Sequence, residues 1–250
     1  MQAFLTLVRR EIGGYFTSFT GYTVLAVVLL LIGLSFYSIV DKLNGSPTPI
    51  PVTEMYYQTV YFWLILLLSA PVITMRSFAQ EKDSGTFETL MTAPVSDQQV
   101  VGSKFIGSMI FYGIIWLPLL ACTLILRSFI DVGAAFDFGL LVSTGLGIML
   151  IGCVYISMGV FASSLTRSQV TAAMVSFALG VSLFMASFLG TELAASDTLL
   201  NQVVKAVNLQ QYMRGFATGV IDTRPIVFCL SATALFLFLT LRVVESRRWK

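Results

Sequence analysis

Residues 78–105, FAQEKDSGTFETLMTAPVSDQQVVGSKF, form an island of mixed charge in an otherwise apolar chain. Glu81, Lys82, Asp83, Glu88, Asp97 and Lys104 crowd into it, and on both sides the charges stop. Met55–Met75 before the island and Phe105–Leu126 after it contain no Asp, Glu, Lys or Arg. As helices, each is long enough to cross about 30 Å of hydrocarbon. The island therefore reads as a polar hairpin between two membrane spans.

Working outward, four more charge-free segments appear: Tyr22–Val40, Phe138–Thr166, Ser168–Thr191 and Pro225–Leu241. The last is short, but Arg242 can snorkel and let the helix run on to Val244. Composition agrees, with 56% hydrophobic residues, 11% charged and a mean hydropathy of +0.85. A soluble domain carries about 25% charged residues. So much apolar surface needs a bilayer as its solvent. The expected fold is all-α: one polytopic domain over residues 1–250 with spans at 22–40, 55–75, 100–126, 138–166, 168–191 and 225–244. The first span reads as a retained anchor, since no small-residue cleavage pattern follows it.

Lys and Arg set the orientation, because cytoplasmic loops hold the excess. One set of span ends carries Arg9, Arg10, Arg76, Lys82, Lys104, Arg167, Arg242, Arg247, Arg248 and Lys250, which is 10 cations. The other carries Lys42, Arg127, Lys205, Arg214 and Arg224, which is 5. Both termini and the island are thus expected in the cytoplasm. Phe4, Val8, Ile12, Phe16 and Phe19 recur at helical spacing before the first span, with Arg9 and Arg10 on the other side. Over residues 1–19 that pattern fits a helix lying in the interface, its arginines anchored among headgroups. A plain extension of the first span is the alternative. Residues 192–224, between the last two spans, place Leu199, Leu200, Val203, Val204 and Val207 on one face, as an amphipathic external loop would. Such a loop could cap the bundle or gate an outer exit.

Small residues four apart, such as Gly159 and Ser163, suit close helix packing within the chain or between two chains. Cys122, Cys153 and Cys229 all fall inside spans and read as buried structural thiols. With no histidine anywhere, Ser-His catalysis and histidine metal centres are excluded. No metal site and no nucleic-acid partner are expected. Mid-span ionisable groups of the kind that drive ion-coupled transport are missing, and so is a G-x-x-x-x-G-K-[ST] phosphate loop. Any driving energy has to come from another chain.

Within residues 76–99, Ser96 and Gln99 form a capping box that starts the third span outside the membrane. Gly85 is expected to break the chain after the second span. Thr86 can then cap a short helix with Glu88 in its first turn. Phe87, Leu90 and Met91 share one face of that helix, and an apolar stripe between charges suits docking into a groove of another protein. A hairpin resting that stripe on lipid headgroups is the alternative.

The stretch RSFAQEKDSGTFETLMTAPVSDQQVVGSKF resembles the cytoplasmic segment of exporter-type permeases of the ABC-2 family, at Glu81, Gly85, Thr86, Glu88, Leu90 and Pro94. The tail RGFATGVIDTRPIVFCLSATALFLFLTLRVVESRRWK resembles the gliding-motility and nitrous-oxide-reductase-maturation permeases, with Arg224-Pro225 in place of the more usual Arg-Asp. The resemblance implies that the segment is a coupling helix seated in a separate ATPase subunit, present as a pair. ATP and Mg would bind on that partner, and this chain would hold no cofactor and catalyse nothing. It also implies a second permease chain, identical or paralogous. Phe87, Leu90 and Met91 would be docking knobs, Glu81 and Glu88 would face the ATPase rim, and Arg167 is a weaker candidate for a second contact. The competing reading is a membrane scaffold that binds a cytoplasmic partner and transports nothing.

Overall fold

The computed structural model describes residues 2–45, 51–88, 95–129, 138–192 and 207–248. Among these, ten helices follow in order. They are α1 Gln2–Thr17, α2 Phe19–Gly45, α3 Val52–Gln58, α4 Val60–Thr74, α5 Ala79–Asp83, α6 Asp97–Phe129, α7 Phe138–Leu165, α8 Gln169–Glu192, α9 Leu209–Ala217 and α10 Thr223–Arg248. Six stretches are long and apolar enough to cross a membrane: α2, α4 running on through α5, α6, α7, α8 and α10. The protein is an all-α polytopic membrane protein. Six crossings bring α1, the α4–α6 hairpin, the α7–α8 turn and the end of α10 to one end of the bundle.

The centre is α7. It packs against α10, α8, α9, α4 and α6, and it carries no charge to keep it at a surface. Its small residues decide how close the neighbours come. A Cβ on Gly159 would lie 2.1 Å from Thr74 Oγ1 of α4, and one on Gly152 would lie 2.2 Å from the Tyr112 ring of α6. Gly159 and Ser163 thus serve packing inside one chain. The outer helices α2, α8 and α10 show apolar side chains such as Leu30, Met174 and Val227 to the surroundings, as lipid-facing helices do.

The second span differs from the one expected. The span expected over 55–75 is broken at Thr59, whose backbone is extended (φ −72°, ψ 141°). Its hydroxyl donates to the Tyr56 carbonyl at 2.7 Å and accepts the Phe62 N–H at 3.4 Å, so it ends α3 and starts α4. Tyr56 and Tyr57 are buried on the separate helix α3.

The N-terminal helix is separate from the first span, with the break at Ser18 and α1 continuous through Gly13 and Gly14. Its Val8 and Tyr15 side is laid on α6 rather than on lipid, while Leu5, Phe16 and Phe19 stay exposed. Close approach is possible because α6 offers Gly107, where a Cβ would sit 2.8 Å from Glu11 Cβ.

Candidate functional site

The charged hairpin is built from the end of α4 onward. After Thr74 the chain turns through residues 75–78, and the hydroxyl of Ser163 on α7 catches the turn. Ser163 Oγ accepts the N–H groups of Phe78 and Ala79, each at 3.0 Å, and donates to the Met75 carbonyl at 3.2 Å. A side chain from another helix thereby satisfies the open donors where α5 begins. At the far end of α5 the Ser84 N–H reaches the Gln80 carbonyl at 3.0 Å. Gly85 follows at φ +74°, a left-handed conformation that glycine adopts without steric cost. Residues 86–88 then turn helical again. On the returning arm of the hairpin, the capping box forms in both directions. Gln99 N–H donates to Ser96 Oγ and Ser96 N–H to Gln99 Oε1, both at 3.3 Å.

One buried cation ties this hairpin to the bundle. Lys104 of α6 is 2% exposed, and its Nζ lies 2.9 Å from Glu11 Oε1 of α1 and 3.0 Å from Glu81 Oε1 of α5. The same ammonium sits 5.1 Å above the Phe78 ring. Phe78 meets Phe87 edge to face at 6.3 Å, and Lys82 Nζ covers the Phe87 ring at 5.4 Å while donating to the Ser164 carbonyl. Beside the clamp, the Tyr15 hydroxyl donates to the Ile73 carbonyl at 3.2 Å and lies 2.9 Å from Ser108 Oγ. Burial pushes the Tyr15 phenol up, the Ser108 hydrogen bond opposes this and Glu11 adds to it, so Tyr15 stays a neutral donor. The hairpin is thus fixed to α1, α6 and α7 together.

The expected contact residues separate into three groups. Gly85, Thr86 and Glu88 are exposed, as are Arg9 and Arg10 on α1 and Arg167 in the turn after α7. The Thr86 hydroxyl pairs with Ser84 Oγ at 2.9 Å and donates to the Glu81 carbonyl at 3.4 Å. Phe87 and Glu81 are turned inward. Phe87 is 8% exposed, because Phe78 and Lys82 give its ring a cover that a stand-alone helix would lack. Glu81 faces Lys104 rather than open solvent, because the buried ammonium needs a counter-charge. Leu90, Met91 and Pro94 lie outside the described residues.

Sequence reasoning missed Glu11, Ser163 and the central place of Lys104. A lysine and a glutamate, each beside an apolar helix face, were the available signals, but their pairing spans 93 residues.

The opposite end is closed differently. There α9 lays Leu209, Met213 and Phe216, all fully buried, against α7, α3 and α8. Asn208 caps α9 by accepting the Gln211 N–H at 2.9 Å, and Thr53 of α3 donates to the Ala217 carbonyl at 2.9 Å. The helix α9 thus caps this end of the bundle; of the apolar face expected in the loop, Leu199, Leu200, Val203 and Val204 lie outside the described residues. Glu54, 8% exposed, meets Arg214 Nε at 3.5 Å.

Among the described residues no group of three His, Cys, Asp or Glu could hold a metal ion. No curated protein matches the chain. A family model described as "ABC-2 family transporter protein" matches residues 48–246, which takes in the hairpin, the capping helix and every span after the first. With most of its length matched, the chain belongs to the ABC-2 transporter family, as a membrane component of an ABC transporter.

Proposed function

We propose that the chain is the permease subunit of an ATP-driven exporter and that residues 76–99 are where a separate ATPase subunit pushes. ATP and Mg bind on that partner, and this chain transmits motion without catalysing a reaction. The observation that carries the reading is the clamp, in which Lys104 joins the exposed hairpin to α1 and α6 through Glu11 and Glu81. A hairpin that only rested on lipid would have no need of a buried three-charge anchor, since placing charges there is costly. The exposed tip at Gly85, Thr86 and Glu88 meets the ATPase, with Leu90 and Met91 as its apolar knobs. Phe87 acts from behind, as the wedge that seats the tip on Phe78.

On this reading the hairpin end and both termini face the cytoplasm of a bacterial cell, in keeping with the 10-to-5 distribution of cations. Two permease chains, identical or paralogous, meet a pair of ATPase subunits. Placement with the gliding-motility and nitrous-oxide-reductase-maturation permeases rests on the likeness of the C-terminal tail.

The test is a pair of substitutions at the tip, Glu88→Lys and Leu90→Asp, in the full chain coexpressed with its ATPase. The expected result is normal membrane insertion with loss of copurification and of permease-stimulated ATP hydrolysis. Full stimulation by both variants would refute the assignment. Copurification with a partner that hydrolyses no nucleotide would favour a scaffold instead.

A further inference from the structure

Helices α6 and α7 meet closely at one level and separate at another. Where they meet, a Cβ on Gly152 of α7 would lie 2.2 Å from the Tyr112 ring, and the Tyr112 hydroxyl donates to the Ile148 carbonyl at 3.4 Å. About two turns nearer the α9 end, Gly145 lies on the same face of α7. A Cβ placed there would meet nothing within 4 Å. The space is a cleft of about 420 Å³, in the size range of small-molecule sites, roughly 300–1,000 Å³.

The cleft can be entered from the side. Ile110, Leu117 and Leu120 of α6 and Met149 of α7 line it, and each is between 38% and 55% exposed. Trp116, 6% exposed, forms its floor. No Asp, Glu, Lys or Arg lines it, and the hydroxyls of Thr53, Thr123 and Thr144 already donate to the Ala217, Leu120 and Leu140 carbonyls. Water inside a protein needs several polar partners, so this lining holds it poorly.

Both walls belong to stretches long and apolar enough to cross a membrane, so the opening faces hydrocarbon. The cleft runs about 15 Å along α6 from Gly113 to Thr123 and about 12 Å along α7 from Leu141 to Met149, at 1.5 Å per residue. The hydrocarbon of one leaflet is about 15 Å deep.

We propose that this cleft seats one acyl chain of a phospholipid from the leaflet on the α9 side. The chain lies against Leu117, Leu120 and Met149, over the open backbone at Gly145 and in front of Trp116. It is selected by its hydrocarbon, since the lining offers a headgroup no charge. Lys104 is on α6 and Ser163 on α7, so the acyl chain fills the gap between two helices that hold the hairpin.

Trp116 can report on the cleft once Trp63 and Trp249 are replaced by phenylalanine. The purified full chain, in a bile-salt detergent that has no straight alkyl chain to compete, is titrated with phosphatidylcholine brominated at mid-chain. Quenching of Trp116 is followed, and retained lipid is counted by native mass spectrometry. The expected result is saturable quenching with one lipid retained per chain. Unbrominated phosphatidylcholine and phosphatidylglycerol of equal chain length should displace it within about threefold of each other. Gly145→Leu, which puts a side chain into the cleft, should weaken binding at least tenfold.

Undiminished quenching in Gly145→Leu would leave annular lipid only and overturn the site. A tenfold preference for one headgroup would overturn selection by the hydrocarbon. Quenching that disappears whenever two chains associate would give the cleft to a second copy instead. Should Gly145→Leu fail to fold, the count on the unaltered cleft decides, and a graded series of retained lipids in place of one would overturn the proposal. Because the assay contains no ATPase, its outcome is independent of the proposed docking at residues 76–99.

Discussion

The two ends of the bundle are held by different physics. At the hairpin end, Lys104 at 2% exposure is gripped by carboxylates from two other helices, and Ser163 satisfies three backbone groups of a turn on a neighbouring segment. At the other end, Leu209, Met213 and Phe216 seat α9 by apolar packing, and the ion pair there, Glu54–Arg214, leaves its arginine side chain 69% exposed. Apolar packing tolerates small slides of one surface over another. A shared buried cation does not, because its partners must stay within hydrogen-bond reach or leave a charge uncovered. The hairpin end is thus tied to α1, α6 and α7 by directional contacts, and the far end is seated by packing.

The sharpest way to break this contrast is Lys104→Met. It leaves Glu11 and Glu81 facing each other without a cation, and removal of one member of a buried ion pair costs about 3–5 kcal/mol. A large fall in Tm of the purified chain is expected. Adding Glu11→Gln and Glu81→Gln should recover most of it, since the cost comes from uncovered charge rather than lost shape. If the single variant melts like the unaltered chain, the clamp does not hold the hairpin.

Ser163→Ala comes next. It strips the acceptor from the Phe78 and Ala79 N–H groups, for a loss of about 1–3 kcal/mol by the usual cost of orphaned buried donors. Faster amide exchange confined to the 75–83 turn would report it, and unchanged exchange there would remove Ser163 from the account.

The smallest effect belongs to the far end. Arg214→Gln should cost less than either, because the arginine is largely in solvent and Glu54 keeps the Tyr57 hydroxyl and Gln58 Nε2 as donors. A loss as large as that of Lys104→Met would erase the distinction between the ends.

What the sequence made legible followed from periodicity and from local chemistry. Six spans could be seen because a charge-free run of bilayer length is stable as a helix in lipid and costly anywhere in water. The Ser96–Gln99 capping box and the turn at Gly85 were visible because each is settled by residues close in the chain. The missed features were tertiary. Phe87 reads as an outward knob from helical spacing alone, and only the arrival of Phe78 and Lys82 turns it inward. Glu81 reads as a surface charge until Lys104 is brought beside it from the next span. The break at Thr59 was hidden because no Gly, Pro or charge marks it between Met55 and Ala70, while the extended backbone is stabilised through its own hydroxyl and Ser35.

The most direct test places a photo-crosslinking residue at Glu88 in one variant and at Asp222 in another, two exposed positions at opposite ends of the bundle. Each is irradiated in the assembled complex during ATP turnover. The account predicts a crosslink from position 88 to the ATPase subunit and none from position 222. Capture of the ATPase from position 222, or from neither position in a complex that hydrolyses ATP, would contradict it.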